Sequence, residues 1–475
     1  MDKIKPYDIC VIGGGAAGLS VAAGASQLGV KVALCEGNLM GGDCLNYGCV
    51  PSKALLSIAK RYHDCTNSHK YGFSAQAATI DMRSIMAKVH EAINLIAPHD
   101  SVERFNSLGV DTYQNYAGFI NDKTIKVGND LLNAKYFVIA TGSRAKLPPI
   151  EGLNQVKYYT NENIFDLKET PKHLVIVGGG PIGCELAQAF SMLKAKVTLL
   201  EAFDILPKDD RELVAILEKN LNDCGVNIYK QIDISEVNSD GDLININFKK
   251  DGELITLQAS HLLISTGRAP NYEKLNLNLA GIEYKPSGIT VDSRLRTSNK
   301  NVFAIGDVIG SYQFTHIAGY HAGIVIRNIL FRIPAKINYK AIPWVTYTSP
   351  ELAQVGLTQA QAQTKYPDDY CVHSFDFANN DRACCEFNTH GKIKLITTKS
   401  GKVLGASILG LNAGELLYPW INTINNGDKV KTIPSKIIPY PTLNDINKQV
   451  VGEYYKPILF SNKVKTMVKF LKWLW

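Results

Sequence analysis

The sequence lacks any long apolar run, and we therefore expect no membrane-spanning helix. Its 475 residues contain no stretch of about 20 predominantly apolar residues. The first apolar segment, Tyr7–Val11, is interrupted by glycines too early for a signal peptide. We therefore expect a cytoplasmic protein. Its ten cysteines are scattered, and in a reducing cytosol a disulfide between any two of them would be catalytic, not structural.

Excess positive charge is also scarce outside the C-terminal tail. The net charge is +7, and six lysines against one glutamate lie between Lys448 and Trp475. The remainder of the chain is close to neutral, so the positive charge is a property of the tail. We expect no nucleic-acid partner.

The tail, residues 453–475, has the pattern of a basic amphipathic helix. Lys465, Lys469 and Lys472 fall on one side of a helical projection. The opposite side is apolar and consists of Phe460, Val464, Met467, Val468, Leu471, Leu474 and Trp475. The pattern is typical of a helix on a membrane surface and equally of a helix packed on a dimer. Both alternatives stay open.

Glycine, in contrast, is plentiful, with 38 residues, and one cluster predicts a dinucleotide site. The cluster follows a predicted strand and opens a predicted helix over Leu19–Leu28. Glu36 ends the next predicted strand, Val30–Cys35, where a carboxylate can bind a ribose hydroxyl. The cluster contains Gly13, Gly15 and Gly18, and glycines at this spacing let the backbone approach a pyrophosphate at the helix N-terminus.

A second copy of the same pattern follows further along the chain. It lies between predicted strands at His173–Val177 and Lys196–Leu200, and Glu201 follows its first glycine by the same number of residues as Glu36 does. This internal duplication predicts two dinucleotide sites. A carboxylate at Glu201 favours the free 2′-hydroxyl of NADH and repels the 2′-phosphate of NADPH. The second loop contains Gly178, Gly180, Ile182 and Gly183.

Cys44 and Cys49 stand just before a segment with Pro51 and good helix formers. Such a pair is a redox couple, half of a metal site or a structural disulfide. Five residues of regular helix rise about 7.5 Å, more than the roughly 4.4–6.8 Å between Cα atoms that a disulfide tolerates. The pair can therefore bond only if the backbone near Gly48 leaves the helix. The metal interpretation is the weaker one, because the only other close pair is Cys384 and Cys385.

The chain beyond this pair alternates between helical and extended patterns. Residues Leu56–Leu108 have helical character, and Val110–Tyr136 reads as a small antiparallel element that closes with a strand over Tyr136–Ile139. The composition, 45% hydrophobic and 20% charged, and the length predict an α/β protein of about three domains.

The cysteine segment, Gly41–Leu56, resembles the redox motif of the FAD-dependent pyridine nucleotide-disulfide oxidoreductases, class I. This family includes dihydrolipoamide dehydrogenase, glutathione reductase and mercuric reductase. The resemblance runs from about Tyr7 to Lys448 and is supported by four further motifs: Ala140–Arg144, Ser265–Asn271, Asn301–Asp307 and Pro343–Thr358.

The resemblance implies an α/β fold with two Rossmann-like dinucleotide-binding domains, for FAD and NAD, and an α+β C-terminal dimerisation domain. We place the FAD domain at 1–150 and 280–335, the NAD(P)H domain at 151–279, the interface domain at 336–452 and the tail at 453–475. A homodimer is implied, in which the C-terminal domain of one subunit completes the active site of the other.

The resemblance also assigns roles to residues. Cys49 is implied as the thiol nearest the flavin, Cys44 as the interchange thiol, and Lys53 with Glu185 as a pair beside flavin and nicotinamide. The residues implied to bind FAD are Gly13, Gly15, Gly18, Glu36, Gly42, Lys53, Thr141, Gly142 and Asp307. Those implied to bind NAD are Gly178, Gly180, Ile182, Gly183, Glu201 and Gly267. No resident metal is expected.

One catalytic segment departs from the family. The lipoamide and glutathione reductases carry His-Pro-Thr followed by Glu, whereas this chain has Tyr440 and Asp445 at those positions, and its last histidine is His390. A tyrosine, with a reference pKa near 10, is a poor proton shuttle at neutral pH. Mercuric reductase also carries Tyr here but relies on a cysteine pair at its C-terminus, and this chain has no cysteine after Cys385.

We therefore expect an enzyme that passes electrons from NADH through FAD and the Cys44–Cys49 disulfide to a non-thiol acceptor, a metal ion or a quinone. One alternative is a dihydrolipoamide dehydrogenase-like reductase that has recruited Tyr440 or Asp445. Another, outside catalysis, is a redox-sensing flavoprotein. For Cys384 and Cys385 we favour neighbouring positions on a strand running towards Lys392 over a soft-metal pair.

Overall fold

The computed structural model describes residues 4–75 and 79–473. The first part of the chain forms strands and helices around the first glycine loop and the cysteine pair. The strands are β1 Lys5–Ile12, β2 Val32–Cys35, β3 Val110–Tyr113, β4 Ala117–Asn121, β5 Thr124–Val127, β6 Asp130–Ile139 and β7 Ser143–Ala145. The helices are α1 Ala16–Ser26, α2 Gly42–Asn46, α3 Cys49–Thr66, α4 Met82–Ile96 and α5 Val102–Ser107.

The middle part contains the second glycine loop. Its strands are β8 His173–Val177, β9 Lys196–Leu200, β10 Val226–Tyr229, β11 Asp233–Asp240, β12 Leu243–Lys250, β13 Glu253–Ala259, β14 His261–Ile264, β15 Arg268–Pro270, β16 Tyr284–Lys285, β17 Gly288–Ile289 and β18 Val302–Ala304. Its helices are α6 Pro181–Met192, α7 Arg211–Asp223 and α8 Thr315–Ile329.

The last part is a sheet with helices and ends in the tail. Its strands are β19 Pro343–Thr346, β20 Glu351–Gly356, β21 Cys371–Asp376, β22 Lys392–Thr397 and β23 Val403–Gly410. Its helices are α9 Gln359–Lys365, α10 Asp381–Cys385, α11 Ala413–Leu416, α12 Tyr418–Asn426, α13 Ile446–Leu459 and α14 Asn462–Trp473. Within the described ranges no helix is long and apolar enough to cross a bilayer.

The chain divides into two compact units. The first contains Met1–Gly178, Met192–Leu200 and Ile232–Ile337. The second contains Gly179–Ser191, Glu201–Gln231 and Asn338–Trp475.

The main sheet of the first unit has a parallel centre, in the order β3-β2-β1-β6, with β18 parallel to the end of β6. Strands β5 and β4 extend it in antiparallel fashion beside the start of β6. Only β4 to β6 therefore form the antiparallel element expected for Val110–Tyr136. The expectation is wrong for β3, which is the parallel neighbour of β2.

Apolar side chains fill both faces of this sheet, as expected for a parallel sheet covered on both sides. Residues alternate between the faces along β1: Ile9 and Val11 pack with α1 and α8, and Cys10 and Ile12 pack on the other side. The first glycine loop begins at Gly13, directly after the carboxyl end of β1.

Smaller sheets complete the two units. In the first, β9, β8 and β14 are parallel, β11 to β13 form an antiparallel meander, and β7 pairs with β15. In the second, five antiparallel strands run in the order β19-β20-β23-β22-β21. Trp420 of α12 is fully buried beside this sheet, and its indole N–H donates to Asn447 of α13 at 2.6 Å.

Candidate active site

The two cysteines of the redox segment lie on consecutive helices separated by a break. Helix α2, which contains Cys44, ends at Asn46, and Tyr47 with φ −136° leaves the helical region. Gly48, with φ −120° and ψ −104°, precedes Cys49, the first residue of α3. The backbone near Gly48 thus departs from helix, as bonding of the pair requires. Both cysteines are free thiols in this structure, Cys44 half-buried and Cys49 exposed.

The environment shifts the pKa values of the two thiols in opposite directions. A hydrogen bond from Cys44, the hydroxyl of Thr315 and the charge of Lys53 lower the pKa of Cys49 to about 6, against burial and Asp43. The same hydrogen bond, together with burial, raises the pKa of Cys44. Near neutral pH the pair therefore carries a thiolate at Cys49 and a proton on Cys44.

Thr315 is a site residue that the sequence did not reveal. It is the first residue of α8, and its Oγ1 lies 3.4 Å from the Sγ of Cys49, although 266 residues separate them in the chain. No sequence motif marks a single threonine so far along the chain from the cysteine pair. Its position eight residues after Asp307 is the only signal, since α8 is the next α-helix after the strand of this motif.

Arg268 joins three of the sequence motifs, and it too was missed as a site residue. Its guanidinium lies 3.0 Å from Asp43 beside Cys44 and donates from Nε to Ser143 Oγ at 2.7 Å. Ser143 in turn donates to Asp307 at 2.6 Å. Burial raises the pKa of Asp307, and Ser143 and Arg268 oppose that shift. Arg268 therefore connects the redox segment with the predicted flavin-binding aspartate.

Two short strands in the motifs that close the predicted nucleotide-binding units, β7 and β15, are paired with each other. Ser143 of β7 is opposite Pro270 of β15, so the motifs at 140–144 and 265–271 lie side by side. Thr141 donates from Oγ1 to the carbonyl of Asn271 at 2.5 Å. Gly142 and Gly267 take positive φ values, +65° and +119°, which glycine adopts without the strain of a Cβ.

The first glycine loop has the shape that a pyrophosphate site needs. Gly13 has φ +113°, and a Cβ there would lie 2.3 Å from the carbonyl oxygen of Ala140. A Cβ at Gly18 would lie 1.8 Å from the carbonyl oxygen of Gly13, and one at Gly42 would lie 2.8 Å from Gly15. Only glycine fits these positions, and the loop leads into the N-terminus of α1.

The acid after this loop is held by backbone donors. Glu36 accepts from the N–H of Gly14 at 2.5 Å through one oxygen and from the N–H of Asn38 at 2.6 Å through the other. These contacts hold its carboxylate beside the loop, where a ribose would lie. The residues present fit FAD at this site.

The second loop repeats the first in atomic detail. Gly178 has φ +112°, and a Cβ there would lie 2.5 Å from the carbonyl oxygen of Ser265. Glu201 accepts from Gly179 N–H at 2.5 Å and from Phe203 N–H at 2.9 Å. The duplication inferred from spacing therefore extends to hydrogen bonds, and this loop fits a second dinucleotide.

The remaining predicted nucleotide contacts lie where α6 begins. Gly180 precedes Pro181, the first residue of α6, and its position is open, with no heavy atom within 4 Å of an added Cβ. Ile182 is half-buried and Gly183 buried in the first turn of α6. Proline suits a first helical turn, since its missing N–H has no partner there.

Lys53 and Glu185 lie in different units. Lys53, on α3, is half-buried and donates to Ser52 Oγ at 3.3 Å. Glu185, on α6, is 3% exposed and accepts from the backbone N–H of Tyr347 at 2.9 Å. Their pairing beside the cofactors remains a prediction.

The segment that departs from the family, residues 440–445, lies in the second unit. Tyr440 is exposed, and its hydroxyl donates to Asp381 at 2.8 Å. This hydrogen bond raises the pKa of Tyr440, with smaller contributions from Cys385 and Asp445. Asp445 ends a short 3₁₀ turn, Leu443–Asp445.

The favoured interpretation of the second cysteine pair is wrong. Cys384 and Cys385 end the short helix α10 and do not lie on a strand, and β22 begins only at Lys392. The side chain of Asn380 caps α10 by accepting from Ala383 N–H, which explains why the segment is helical. Adjacent helical residues point in different directions. Among the described residues no group of three or more His, Cys, Asp or Glu side chains could hold a metal ion.

Two dinucleotide-type loops, a dithiol and a separate antiparallel sheet define a class of electron-transfer protein that uses two nucleotide cofactors. Residues 7–322 match the pyridine nucleotide-disulphide oxidoreductase family, and residues 342–450 match the dimerisation domain of that family. The chain belongs to this family and is an NAD(P)H-dependent flavoprotein disulfide oxidoreductase. The family supports FAD as cofactor, and the dimerisation domain supports a homodimer.

Curated relatives and solved structures agree with this assignment. The chain is 34% identical to a mercuric reductase from Bacillus cereus over 95% of this chain and 72% of that protein. It is 34% identical to a dihydrolipoyl dehydrogenase from Geobacillus stearothermophilus over 92% of this chain and 93% of that protein. The Cu(II) complex of the HOCl-induced flavoprotein disulfide reductase RclA from Escherichia coli has a TM-score of 0.86 and 28% identity, covering 94% and 99% of the two chains.

Proposed function

We propose that this chain is an NADH-dependent reductase of a non-thiol acceptor, a thiophilic metal ion or a quinone. When bound, FAD supplies two-electron chemistry between NADH and the Cys44–Cys49 disulfide. With copper as the acceptor, one NADH and two Cu(II) ions give NAD⁺, one proton and two Cu(I) ions. The dithiol is oxidised back to the disulfide in that step.

The observation that carries the proposal is the state of Tyr440. Tyr440 occupies the position where the thiol-reducing relatives carry histidine. Its hydroxyl already donates a hydrogen bond to Asp381, and this hydrogen bond raises the pKa of Tyr440 further. A departing thiolate needs a proton, and loss of a positioned acid costs about 10²–10⁴ in rate. A metal ion that accepts one electron needs no such proton.

The named relatives are consistent with this acceptor class. The solved neighbour is described as a Cu(II) complex, and one of the most similar curated relatives is a mercuric reductase. The preference for NADH rests on Glu201, whose carboxylate is held beside the second loop by Gly179 and Phe203. We also propose that the protein works as a cytoplasmic homodimer whose tail contacts a membrane surface.

A second candidate is a dihydrolipoyl dehydrogenase-like reductase. It is favoured by the identity to the Geobacillus enzyme and requires Asp445 or Tyr440 to move the proton. A redox sensor is the third possibility, and it would show reduction of the flavin by NADH with negligible turnover of every acceptor.

The deciding experiment is steady-state oxidation of NADH and NADPH with lipoamide, glutathione disulfide, Hg(II), Cu(II), a short-chain quinone and oxygen. The wild type should favour a metal ion or the quinone. Tyr440→His should raise lipoamide turnover by about 10²-fold or more and leave quinone reduction unchanged, whereas Tyr440→Phe should not. Lipoamide turnover by the wild type above that of every other acceptor would refute the proposal.

A further inference from the structure

The C-terminal helix α14 has no buried residue among those described. It follows α13, whose first half packs on the sheet through the buried residues Ile446, Val450 and Val451. The packing then stops: Phe460 is 65% exposed, Met467 53% and Trp473 80%. A contiguous apolar patch of this kind is rare on a monomer without a partner.

The helix separates its side chains into two faces. Val464, Met467, Val468 and Leu471 follow the spacing of one helical face. Lys465, Lys469 and Lys472 project from the other side of α14. The two aromatic residues near its end, Phe470 and Trp473, are in ring contact at 6.4 Å, and both are exposed.

The lysines of α14 have no acidic partner in the described part of the chain. The last acidic residue in the sequence is Glu453, and it pairs with Lys456 at 3.1 Å. Lys463, Lys465, Lys469 and Lys472 form no ion pair among the described residues. The helix therefore presents uncompensated positive charge together with its apolar face.

We infer that α14 is an interfacial helix that docks on anionic lipid. The apolar face enters the boundary between headgroups and acyl chains, the lysines bind the anionic headgroups, and the exposed aromatic rings lie at the interface. A second copy of the chain would bring the same positive charge towards these lysines, whereas an anionic bilayer is complementary to them. The inference rests on the membrane contact proposed above and names its lipid, and it depends on neither the acceptor nor the cofactors.

The test is flotation of the purified full-length protein with phosphatidylcholine vesicles, with and without phosphatidylglycerol. Binding should require phosphatidylglycerol and weaken as salt is raised, because screening weakens the attraction between the lysines and the anionic headgroups. Lys465→Glu with Lys469→Glu should reduce binding at least about tenfold, and so should Met467→Glu. The matched control, Lys123→Glu with Lys126→Glu, changes the same number of exposed lysines, one in the turn between β4 and β5 and one on β5, and should bind as the wild type does.

Flavin content and circular dichroism of each variant establish that it is folded. The inference would be overturned by no binding to phosphatidylglycerol vesicles, by equal binding to neutral vesicles, or by unchanged binding of both α14 variants. Self-association that depends on protein concentration and is abolished by Met467→Glu, without vesicle binding, would assign the face to a second copy instead. Because vesicle binding is measured without substrate, failure here leaves the proposed acceptor chemistry untouched.

Discussion

The Oγ1 of Thr315 lies 3.4 Å from the Sγ of Cys49 and helps to hold that thiol as a thiolate. A hydroxyl at this distance can donate to the anion, and hydrogen bonds to charged groups are worth about 1.5–3 kcal/mol. The first residue of α8 thereby acts on the first residue of α3.

Replacing Thr315 by valine should raise the pKa of Cys49 from about 6 by roughly one unit, because the donor is lost while the shape is kept. The measurement is the ultraviolet absorbance of the thiolate in the reduced protein as a function of pH. Thr315→Ser retains the hydroxyl and should leave the titration unchanged. Equal titration curves for the valine variant and the wild type would show that the hydroxyl does not stabilise the thiolate.

Removing Cys44 should have the larger effect on the same thiol. Its hydrogen bond is the first cause of the low pKa of Cys49, so Cys44→Ala should move that pKa from about 6 back towards the ordinary thiol range. The rate of alkylation of Cys49 by iodoacetamide at pH 7 should fall accordingly. Cys65→Ala, which removes another exposed thiol of α3, serves as the control. An unchanged alkylation rate in Cys44→Ala would show that the hydrogen bond from Cys44 does not stabilise the thiolate of Cys49.

Glu201 should control the choice of nicotinamide cofactor. Glu201→Gln removes the charge that opposes a 2′-phosphate and retains an oxygen for the N–H groups of Gly179 and Phe203. The ratio of kcat/KM for NADPH to that for NADH should rise about tenfold or more. Glu36→Gln, the corresponding change in the first loop, should leave this ratio unaltered. If Glu201→Gln does not change the ratio, another residue selects the cofactor.

Two adjacent aspartates of the second unit should respond to neutralisation with opposite signs. Asp209 is buried, which raises its pKa to about 6, while its hydrogen bond from Trp344 opposes the shift. Between about pH 4 and 6 the folded state thus keeps a proton that the unfolded state has lost. The free energy of unfolding therefore falls as the pH rises through this window. Asp209→Asn should abolish this fall and stabilise the protein at pH 7 by about 1–3 kcal/mol.

Asp210 provides the contrast. Its carboxylate lies 2.9 Å from Lys394, and both side chains are 3% exposed. Asp210→Asn keeps the cap on α7 but leaves a buried cation with less compensation, and it should destabilise the protein by about 3–5 kcal/mol. Urea unfolding of both variants below and above pH 6 checks the two signs. Destabilisation of Asp209→Asn at pH 7 would show that the buried carboxylate is favourable as an ion.

The nucleotide loops were predictable because their determinants are local. A glycine that must take positive φ, or that would clash through a Cβ, is required by a few neighbouring backbone atoms, as Gly13, Gly18 and Gly178 show. The strands at His173–Val177 and Lys196–Leu200 were predicted to the residue for the same reason. A short apolar run that ends at the glycine loop or at its acid fits a buried strand of this length.

The prediction for the second cysteine pair, Cys384 and Cys385, is wrong. The sequence favours neighbouring positions for Cys384 and Cys385 on a strand running towards Lys392, whereas both residues end helix α10. The segment is helical because Asn380 caps it and is itself held by the carbonyl of Thr442, 62 residues away. A short segment takes the conformation that such a distant contact stabilises.

The sequence by itself determined the family, the two glycine loops, the dithiol and the replacement of the histidine by Tyr440, because each depends on residue type at a short spacing. Only the tertiary structure decided that Thr315 touches Cys49 and that Arg268 joins Asp43 to Ser143 beside Asp307. Cys49 and Thr315 lie 266 positions apart, and Ser143 and Arg268 lie 125 apart, so no local sequence pattern records these contacts. The charge on the dithiol therefore depends on the fold as well as on its own sequence.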